Sequence, residues 1–266
     1  MSADTTAPAL FISHGAPTFA LAPGAIGARL AALGRHLRHL HGVLVLSPHW
    51  MTRGIRVMAA AQPATLHDFG GFPEPLYRLD YPAPGSPALA MEACRLLTAA
   101  GLAAEPDPLR GRDHGAWVPL LHLLPQPRLP VIQVSMPADL DPAGAWRMGQ
   151  ALAPLRAQGV LLVGSGSLTH NIYEVGAGAG DAAYVSRFAG WIRETLAARD
   201  LPRLLDYRRL APAATRAHPT EEHFLPLPFA FGASALEEPM QHLPGGVSYG
   251  ILAMDAFAWG APCAPT

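Results

Sequence analysis

The segment GVLVLS at residues 42–47 carries four large apolar residues in succession, with no alternation of polar and apolar side chains. A short continuous apolar run is typical of a strand that is covered on both faces of a parallel sheet. Three further runs have the same character: ALFIS at 9–13, PVIQVS at 130–135 and VLLVG at 160–164. Together the four runs predict the central strands of a mainly parallel sheet.

Helical patterns lie between these strands. We predict helices over residues 25–40, 87–97, 141–156 and 182–198, a return strand at 55–59 and a late strand at 247–254. The third helix opens on Asp141-Pro142, which suits an N-cap and the first helical position. Strands that alternate with helices indicate an α/β fold. We therefore expect residues 1–266 to form a single catalytic domain, with helices on both faces of the sheet and a ligand site at the carboxyl ends of strands.

Composition excludes several functional classes. The formal net charge of the 266 residues is −1, so neither a nucleic acid nor a membrane surface is an expected partner. All 19 basic residues are arginines, which excludes Schiff-base and P-loop lysine chemistry. Cys94 and Cys263 lack the spacing of a disulfide framework or a zinc knuckle. With neither a signal-peptide pattern nor a long apolar run, we expect a cytoplasmic protein; the sequence indicates nothing about its oligomeric state.

Histidines follow three of the predicted strands. His14 comes directly after the first strand, His49 after the second, and His170 after the strand at 160–164. Two polar segments add His114, and the group His218, Glu222 and His223. Neutral imidazoles that converge on one point suit a divalent transition metal, and two or three of them with open positions fit non-haem Fe(II) or catalytic zinc.

One long connection interrupts the alternation of strands and helices. Residues 61–85 show no clear period and are rich in proline, glycine and aromatic residues. Long connections without regular structure are usually functional or disordered, and the aromatic residues argue against disorder. We therefore predict an ordered loop over the site, with Phe69, Phe72, Tyr77 and Tyr81 able to face an aromatic ring.

The histidine motifs resemble a known family. The ordered set comprises ISHGAPT at 12–18, SPHW at 47–50, HDFGGFP at 67–73, DHGAW at 113–117, GSGSLTHN at 164–171, HPTEEH at 218–223 and YGILA at 249–253. It resembles the class III extradiol ring-cleaving dioxygenases, and more narrowly the DOPA 4,5-dioxygenase group. The resemblance implies a single metal ion, normally Fe(II), although Zn(II) can occupy the site in purified protein. It also implies a catechol substrate that is opened with O2 to a muconic semialdehyde.

Roles for individual residues follow from the same resemblance. His14 and His49 match metal ligands, and His223 matches the third ligand, with Glu222 left open as its alternative. His170 matches a position that acts either as an acid/base or as a fourth ligand, and His114 matches a histidine that faces the substrate or supports a ligand. We also predict His67, Phe72, Tyr77 and His218 as substrate-binding residues.

Two alternatives stay open beside the dioxygenase. One is a zinc-dependent hydrolase of amide or ester bonds, and the other is a non-enzymatic binding protein that retains the fold. The glycine- and serine-rich segment at 164–167 is not a nucleophile elbow, because neither serine has glycine on both sides at the required spacing. The sequence does not identify the catechol among DOPA, caffeate, protocatechuate and simpler compounds. Arg78 and Arg112 are candidates to bind a substrate carboxylate by location alone.

Overall fold

An eight-stranded sheet runs through the computed structural model, which describes residues 6–37, 39–175 and 183–261. Its strands stand in the order β4-β3-β5-β2-β6-β1-β10-β7, and β8 and β9 form a separate two-stranded sheet. The strands are β1 (Ala9–Ser13), β2 (Gly42–Thr52), β3 (Ile55–Met58), β4 (Ala104–Asp107), β5 (Val131–Pro137), β6 (Val160–Gly166), β7 (Met240–Leu243), β8 (Val247–Ser248), β9 (Leu252–Ala253) and β10 (Ala256–Trp259). The four central strands, β5, β2, β6 and β1, are mutually parallel.

Helices cover both faces of this sheet. They are α1 (Gly24–His36), α2 (Pro87–Ala99), α3 (His114–Leu123), α4 (Pro142–Leu152), α5 (Pro154–Ala157), α6 (Ala183–Ala197), α7 (Leu201–Leu205), α8 (Tyr207–Leu210), α9 (Ala214–Ala217) and α10 (Pro226–Ala233). Short 3-10 helices lie at Pro17–Ala20, Glu74–Arg78 and Ile172–Glu174. None of these helices in the described part of the chain is long and apolar enough to cross a membrane.

The core explains why the strands are apolar on both sides. In β1, Leu10 and Ile12 pack with the buried faces of α1 and α3. The neighbouring Phe11 points the other way, into a cluster with α6 and α10. Side chains of a strand alternate between faces, so a strand that is covered twice needs apolar residues at every position. The predicted α/β fold, with a mainly parallel sheet flanked by helices, is confirmed.

Two predicted elements are interrupted in the structure. The helix predicted over 141–156 is broken, because Pro154 lacks an N–H group and cannot continue α4, so that α5 starts there. The late strand predicted at 247–254 is wrong. Tyr249 and Gly250 have positive φ angles of 54° and 73°, which turn the chain between β8 and β9. The strand that joins the main sheet comes later, at β10, antiparallel to β1.

β2 is longer than predicted and carries His49 within it. The strand pairs regularly with β5 up to Leu46, and the pairing resumes at Met51 after a shift in register. Pro48 lies inside this irregular stretch and has no N–H to donate to a neighbouring strand, which is the usual place for a strand proline. The irregularity lies where β2 reaches the carboxyl edge of the sheet, and His49 lies within it.

Candidate active site

Five histidines from separate segments of the chain meet at the carboxyl end of the central strands. His14 follows β1, His49 lies in the irregular end of β2, His114 begins α3, His170 follows β6, and His223 precedes α10. All five line one cavity of about 480 Å³. The parallel strands end at one edge of the sheet, and this shared edge brings together residues that are up to 209 positions apart in sequence (14 to 223).

The imidazole nitrogens are close enough to share a metal ion. His14 Nε2 and His49 Nε2 lie 3.2 Å apart, and two nitrogens bound tetrahedrally to one ion are about 3.3 Å apart. His14, His49 and His114 form one group in which one potential ligand atom from each residue lies within 4.8 Å of the others. His170, Glu222 and His223 form a second such group at the same cavity.

The separation of the rings distinguishes among these histidines. Imidazoles that bind one ion through bonds of about 2.0–2.1 Å have ring centres about 4.6 Å apart at right angles and about 5.2 Å apart in tetrahedral directions. The ring centres of His14, His49 and His223 are 5.1, 5.2 and 5.5 Å apart. By contrast, His114 lies 3.9 Å from His49, and His170 stacks on His223 at 3.5 Å with an interplanar angle of 9°. Those two contacts are too short for both rings of the pair to point at one ion.

Burial keeps the central imidazoles in the neutral form that binds metals. It lowers the pKa of His14 well below the ordinary 6.5, and the neighbouring His49 lowers it further. Burial also lowers the pKa of His49 to about 3 and that of His223 well below its ordinary value. At neutral pH these side chains therefore present nitrogen lone pairs without first releasing a proton.

Ser165 fixes the tautomer of His14. The Oγ atom of Ser165 donates its one proton to the carbonyl oxygen of Gly115, because a carbonyl cannot donate. The 2.9 Å contact between His14 Nδ1 and Ser165 Oγ must then be donated by His14. The proton on Nδ1 leaves Nε2, the atom that faces His49, with its lone pair free. The buried serine therefore orients His14 and prepares it to bind a metal ion.

Carboxylates hold two of the other rings. Glu222 Oε1 lies 3.1 Å from His223 Nδ1 and also accepts a hydrogen bond from the Thr220 hydroxyl. Asp68 Oδ2 lies 3.0 Å from His114 Nδ1, while its Oδ1 accepts the backbone N–H of His114. Glu222, which the sequence left open as a ligand, thus contacts the Nδ1 atom of His223 and also lines the cavity.

A buried network supports the strand and helix that carry His49 and His114. Asp113 immediately precedes α3 and is fully buried. Its carboxylate accepts hydrogen bonds from Ser47 in β2 and from the Gln133 side chain in β5, and it pairs with Arg110 at 3.4 Å. The network joins β2, β5 and the start of α3. The pairs His67-Asp68 and Asp113-His114 show in the sequence that acids lie next to histidines of this region. Nothing in the sequence indicates the role of Ser165.

The remaining predicted site residues lie at different depths. Phe72 lines the cavity. Tyr77 is not one of the lining residues; it packs against Phe69, and its hydroxyl accepts the backbone N–H of Phe72 at 3.4 Å. His67 likewise lies behind the wall, where its ring packs against Trp117 and its Nε2 contacts the carbonyl of Leu79 at 2.9 Å.

His218 and the two candidate arginines lie away from the cavity wall. His218 is fully buried, with Nε2 2.9 Å from the carbonyl of Leu168, and burial lowers its pKa to about 3. Arg112 is also buried and donates to the carbonyls of Tyr81 and Ala83, so it holds the loop at 61–85 against the body of the protein. Arg78 is exposed and pairs with Glu74.

The role of Ser165 leads to a testable prediction. Replacing Ser165 with alanine removes the acceptor for His14 Nδ1–H, and we expect metal affinity to fall by about 10- to 100-fold, the usual effect of losing such a partner. Dissociation constants from chelator competition measure this effect. Ser165→Thr retains the hydroxyl and is expected to recover most of the affinity, whereas Ser167→Ala, which removes a buried hydroxyl bonded to the carbonyl of Thr169, serves as the control. Unchanged metal affinity in Ser165→Ala would contradict the assignment.

Buried neutral histidines gathered at the carboxyl edge of the sheet of an α/β domain are typical of a metal-dependent enzyme. Residues 9–250 match the family model of the catalytic LigB subunit of aromatic ring-opening dioxygenase, and the chain belongs to this family. LigB dioxygenases are non-haem and metal-dependent. The protein is an extradiol ring-cleaving dioxygenase, which acts on a small aromatic substrate and O2.

Individual relatives agree with the family. The chain is 35% identical to the 4,5-DOPA dioxygenase extradiol of Escherichia coli over 94% of its own length and 93% of the relative's. It is also 35% identical to that of Beta vulgaris, over 96% and 97% of the two chains. A crystal structure of an uncharacterised Escherichia coli K12 protein, JW3007, superposes with a TM-score of 0.78 at 31% identity, over 95% of this chain and 99% of that one. The names of the relatives and of the family support neither of the two alternatives, the zinc-dependent hydrolase and the non-enzymatic binding protein.

Proposed function

We propose that the chain opens the ring of a catechol with O2 to a muconic semialdehyde, using Fe(II) held by His14, His49 and His223. The ligand assignment depends on the separations between the histidine rings. The ring centres of His14, His49 and His223 lie 5.1–5.5 Å apart in every pair, and no other three of the five described histidines that line the cavity do so. Bound there, Fe(II) would supply open positions for the catechol and for O2, together with one-electron chemistry. Zn(II) could fill the same three nitrogens, but it has no redox chemistry to offer.

We assign the proton transfers to His170. Its ring is stacked on that of His223 at 3.5 Å and lines the cavity, and this supports a role beside the proposed ligands. Burial lowers the pKa of His170, so its imidazole is neutral near pH 7 and can accept a proton from a catechol hydroxyl. The same nitrogen can return the proton later in the reaction, because an imidazole changes its charge state easily near neutral pH.

We assign the orientation of the substrate to His114. Its Nδ1 atom lies 3.0 Å from Asp68 Oδ2, and its Nε2 atom remains to meet an oxygen of the bound catechol. His67 and His218 support the wall behind the cavity through their carbonyl contacts, and Arg112 secures the same loop. The histidines of this site therefore divide into ligands, a base, an orienting group and supports.

The loop at 61–85 is expected to influence which catechol is accepted. Replacing Phe72 with alanine removes an aromatic face from the cavity wall, and we expect the KM for catechols to change by about 3- to 10-fold while metal content stays normal. Tyr77→Phe is the control, because it removes only the hydroxyl that accepts the Phe72 N–H. Steady-state kinetics across a panel of catechols measures the effect. Identical selectivity in Phe72→Ala and the parent would mean that the loop aromatics only secure the loop.

The reaction itself is tested by loading the protein with Fe(II) without oxygen, adding a catechol, and then admitting air. L-DOPA is the first compound to try, because the relatives are named for it, and caffeate, protocatechuate and catechol complete the panel. We expect a yellow ring-fission product, in proportion to bound iron, from at least one catechol. A protein that holds one iron per chain and yields no such product from any catechol would overturn the proposal.

A further inference from the structure

His49 is held differently from the other two proposed ligands. The rings of His14 and His223 each have a hydrogen-bond partner at Nδ1, at 2.9 and 3.1 Å. The Nδ1 atom of His49 lies 3.9 Å from Asp68 Oδ2, which is longer than a hydrogen bond. This carboxylate therefore does not fix the ring, and the position of the ring depends on the backbone of His49.

Side chains bind both polar groups of that backbone. The N–H of His49 donates to Ser47 Oγ at 3.3 Å, and its carbonyl oxygen accepts from Arg110 Nη2 at 3.2 Å. In a regular strand the neighbouring strands would bind such groups, but the regular pairing of β2 ends at Leu46 and resumes only at Met51. Ser47 and Arg110 therefore take the place of strand partners where β2 leaves the regular sheet.

The carboxylate of Asp113 joins these two side chains. Its Oδ1 atom accepts the Ser47 hydroxyl at 2.9 Å, and its Oδ2 atom accepts from Arg110 Nη2 at 3.4 Å. Gln133, in the regular part of β5, donates to Oδ2 at 2.8 Å and accepts the backbone N–H of Asp113 at 3.0 Å. Asp113 is thus bound to the regular sheet on one side and to the irregular end of β2 on the other.

Gly115 brings the start of α3 against the same segment. A Cβ atom on this residue would lie 2.3 Å from Ser47 Oγ and 2.9 Å from Cδ2 of the His49 ring, so a larger residue would displace both. Because the side chain is missing, the helix that follows Asp113 packs directly on the imidazole. The ring of His49 is therefore confined by α3 as well as by its own backbone.

We propose that Asp113 is a positioning residue for the metal site, which holds the His49 imidazole in place by fixing Ser47 and Arg110 on the two polar groups of the His49 backbone. This inference rests on the proposed role of His49 as a metal ligand. Asp113 is fully buried and is not among the residues that line the cavity, so it acts through His49 alone. A ligand that is already held in its binding position loses less freedom when the ion arrives, and metal affinity then depends on the contacts that hold it.

Asp113→Asn tests this role, because asparagine has the same shape but cannot accept all three side-chain hydrogen bonds. We expect the dissociation constant for Co(II), measured by chelator competition, to rise by about 10-fold or more. The visible absorption spectrum of bound Co(II) responds to ligand geometry and is expected to differ from that of the parent. Ser47→Ala removes the acceptor of the His49 N–H and is expected to show both changes.

Ser135→Ala is the matched control for Ser47→Ala. Ser135 is likewise a fully buried serine of the central sheet, and its hydroxyl accepts a backbone N–H, that of Arg56 in β3, at 2.8 Å. Its loss is expected to lower the thermal midpoint of the metal-free protein about as much as Ser47→Ala does, but to leave the affinity and the spectrum of Co(II) unchanged. Equal weakening of Co(II) binding in Ser135→Ala would overturn the inference, because any loosening of the sheet would then have the same effect.

Two further outcomes separate this inference from the proposed ligand set. Parent affinity and spectrum in Asp113→Asn would overturn the positioning role; if that variant does not fold, the same result in both Ser47→Ala and Arg110→Met would do so, since the Arg110 side chain is partly exposed and tolerates substitution. Loss of Co(II) from His49→Ala would leave the proposed ligand standing in that case. Retention of Co(II) by His49→Ala would overturn both the ligand assignment and the inference.

Discussion

Replacing His49 with alanine is expected to lower metal affinity by more than about 100-fold. We propose His49 as a direct ligand, and losing a ligand should cost more than the 10- to 100-fold effect of losing an outer partner. His14→Ala is expected to behave in the same way, since its Nε2 lies 3.2 Å from that of His49. The fold should persist, because strands β1 and β2 are held by apolar residues on both faces of the sheet. Iron per chain after anaerobic loading and gel filtration, together with circular dichroism, measures both effects.

His41→Ala is the matched control for these variants. His41 is an exposed histidine at the opposite end of β2, where it contacts the carbonyl of Gln158, so its loss should leave iron binding unchanged. The ring separations also predict that His223→Ala loses iron and that His114→Ala retains it. Stoichiometric iron in both His14→Ala and His49→Ala would refute the proposed centre.

The second large effect is expected at His170. In His170→Gln, turnover per bound iron should fall by about 10²- to 10⁴-fold, the usual contribution of a positioned acid or base, while iron content stays near normal. The stacked contact with His223 explains why turnover should fall while iron stays bound. It holds the His170 ring beside the proposed ligands, but two rings stacked at this distance cannot both bind one ion. Iron content and turnover must be determined on the same samples.

The pH profile separates a base from a merely structural histidine. Because burial lowers the pKa of His170 below its ordinary 6.5, the parent enzyme should keep its activity at neutral pH and lose it as the pH falls through that lowered value. Protonation of the base causes this loss. The fall in activity at low pH that is due to His170 should therefore be absent from the pH profile of His170→Gln. His122→Gln, which alters a histidine bonded to the carbonyl of Phe19, should change neither turnover nor the profile. Normal turnover per iron in His170→Gln would contradict the role, and activity that falls only with iron content would make His170 a ligand instead.

The separations of the rings also explain how the proposed metal-binding triad and the proposed base can fit in one cluster. The ring centres of His170 and His114 each lie within 4 Å of that of a proposed ligand, a separation shorter than two rings bound to one ion would have. Carboxylates add to this division, since Glu222 and Asp68 each take up one nitrogen of a neighbouring ring. The cluster can therefore hold one ion and still leave two imidazoles to meet a substrate.

The sequence alone determined the central sheet and the approximate place of the site. Strands with apolar residues at every position, such as 42–47, predict a covered parallel sheet because both faces must be buried. His14, His49 and His170 follow such strands, and parallel strands end at one edge, so the strand pattern itself predicts that these histidines converge. The same reasoning failed for the late strand, where the positive φ angles of Tyr249 and Gly250 turn a continuous run into a hairpin.

Only the tertiary structure supplies the basis for the roles that we propose for individual histidines. The motifs place His114, His170 and His223 near one another without fixing the separations of their rings, and those separations are the basis of the proposed division into ligands and neighbours. Ser165 supports His14 across 151 positions of sequence, a contact that no local pattern records. Phe72 and Tyr77 lie five residues apart in one loop, yet only Phe72 lines the cavity. Strand patterns follow from local burial, whereas ring orientation and hydrogen-bond partners depend on how distant segments pack.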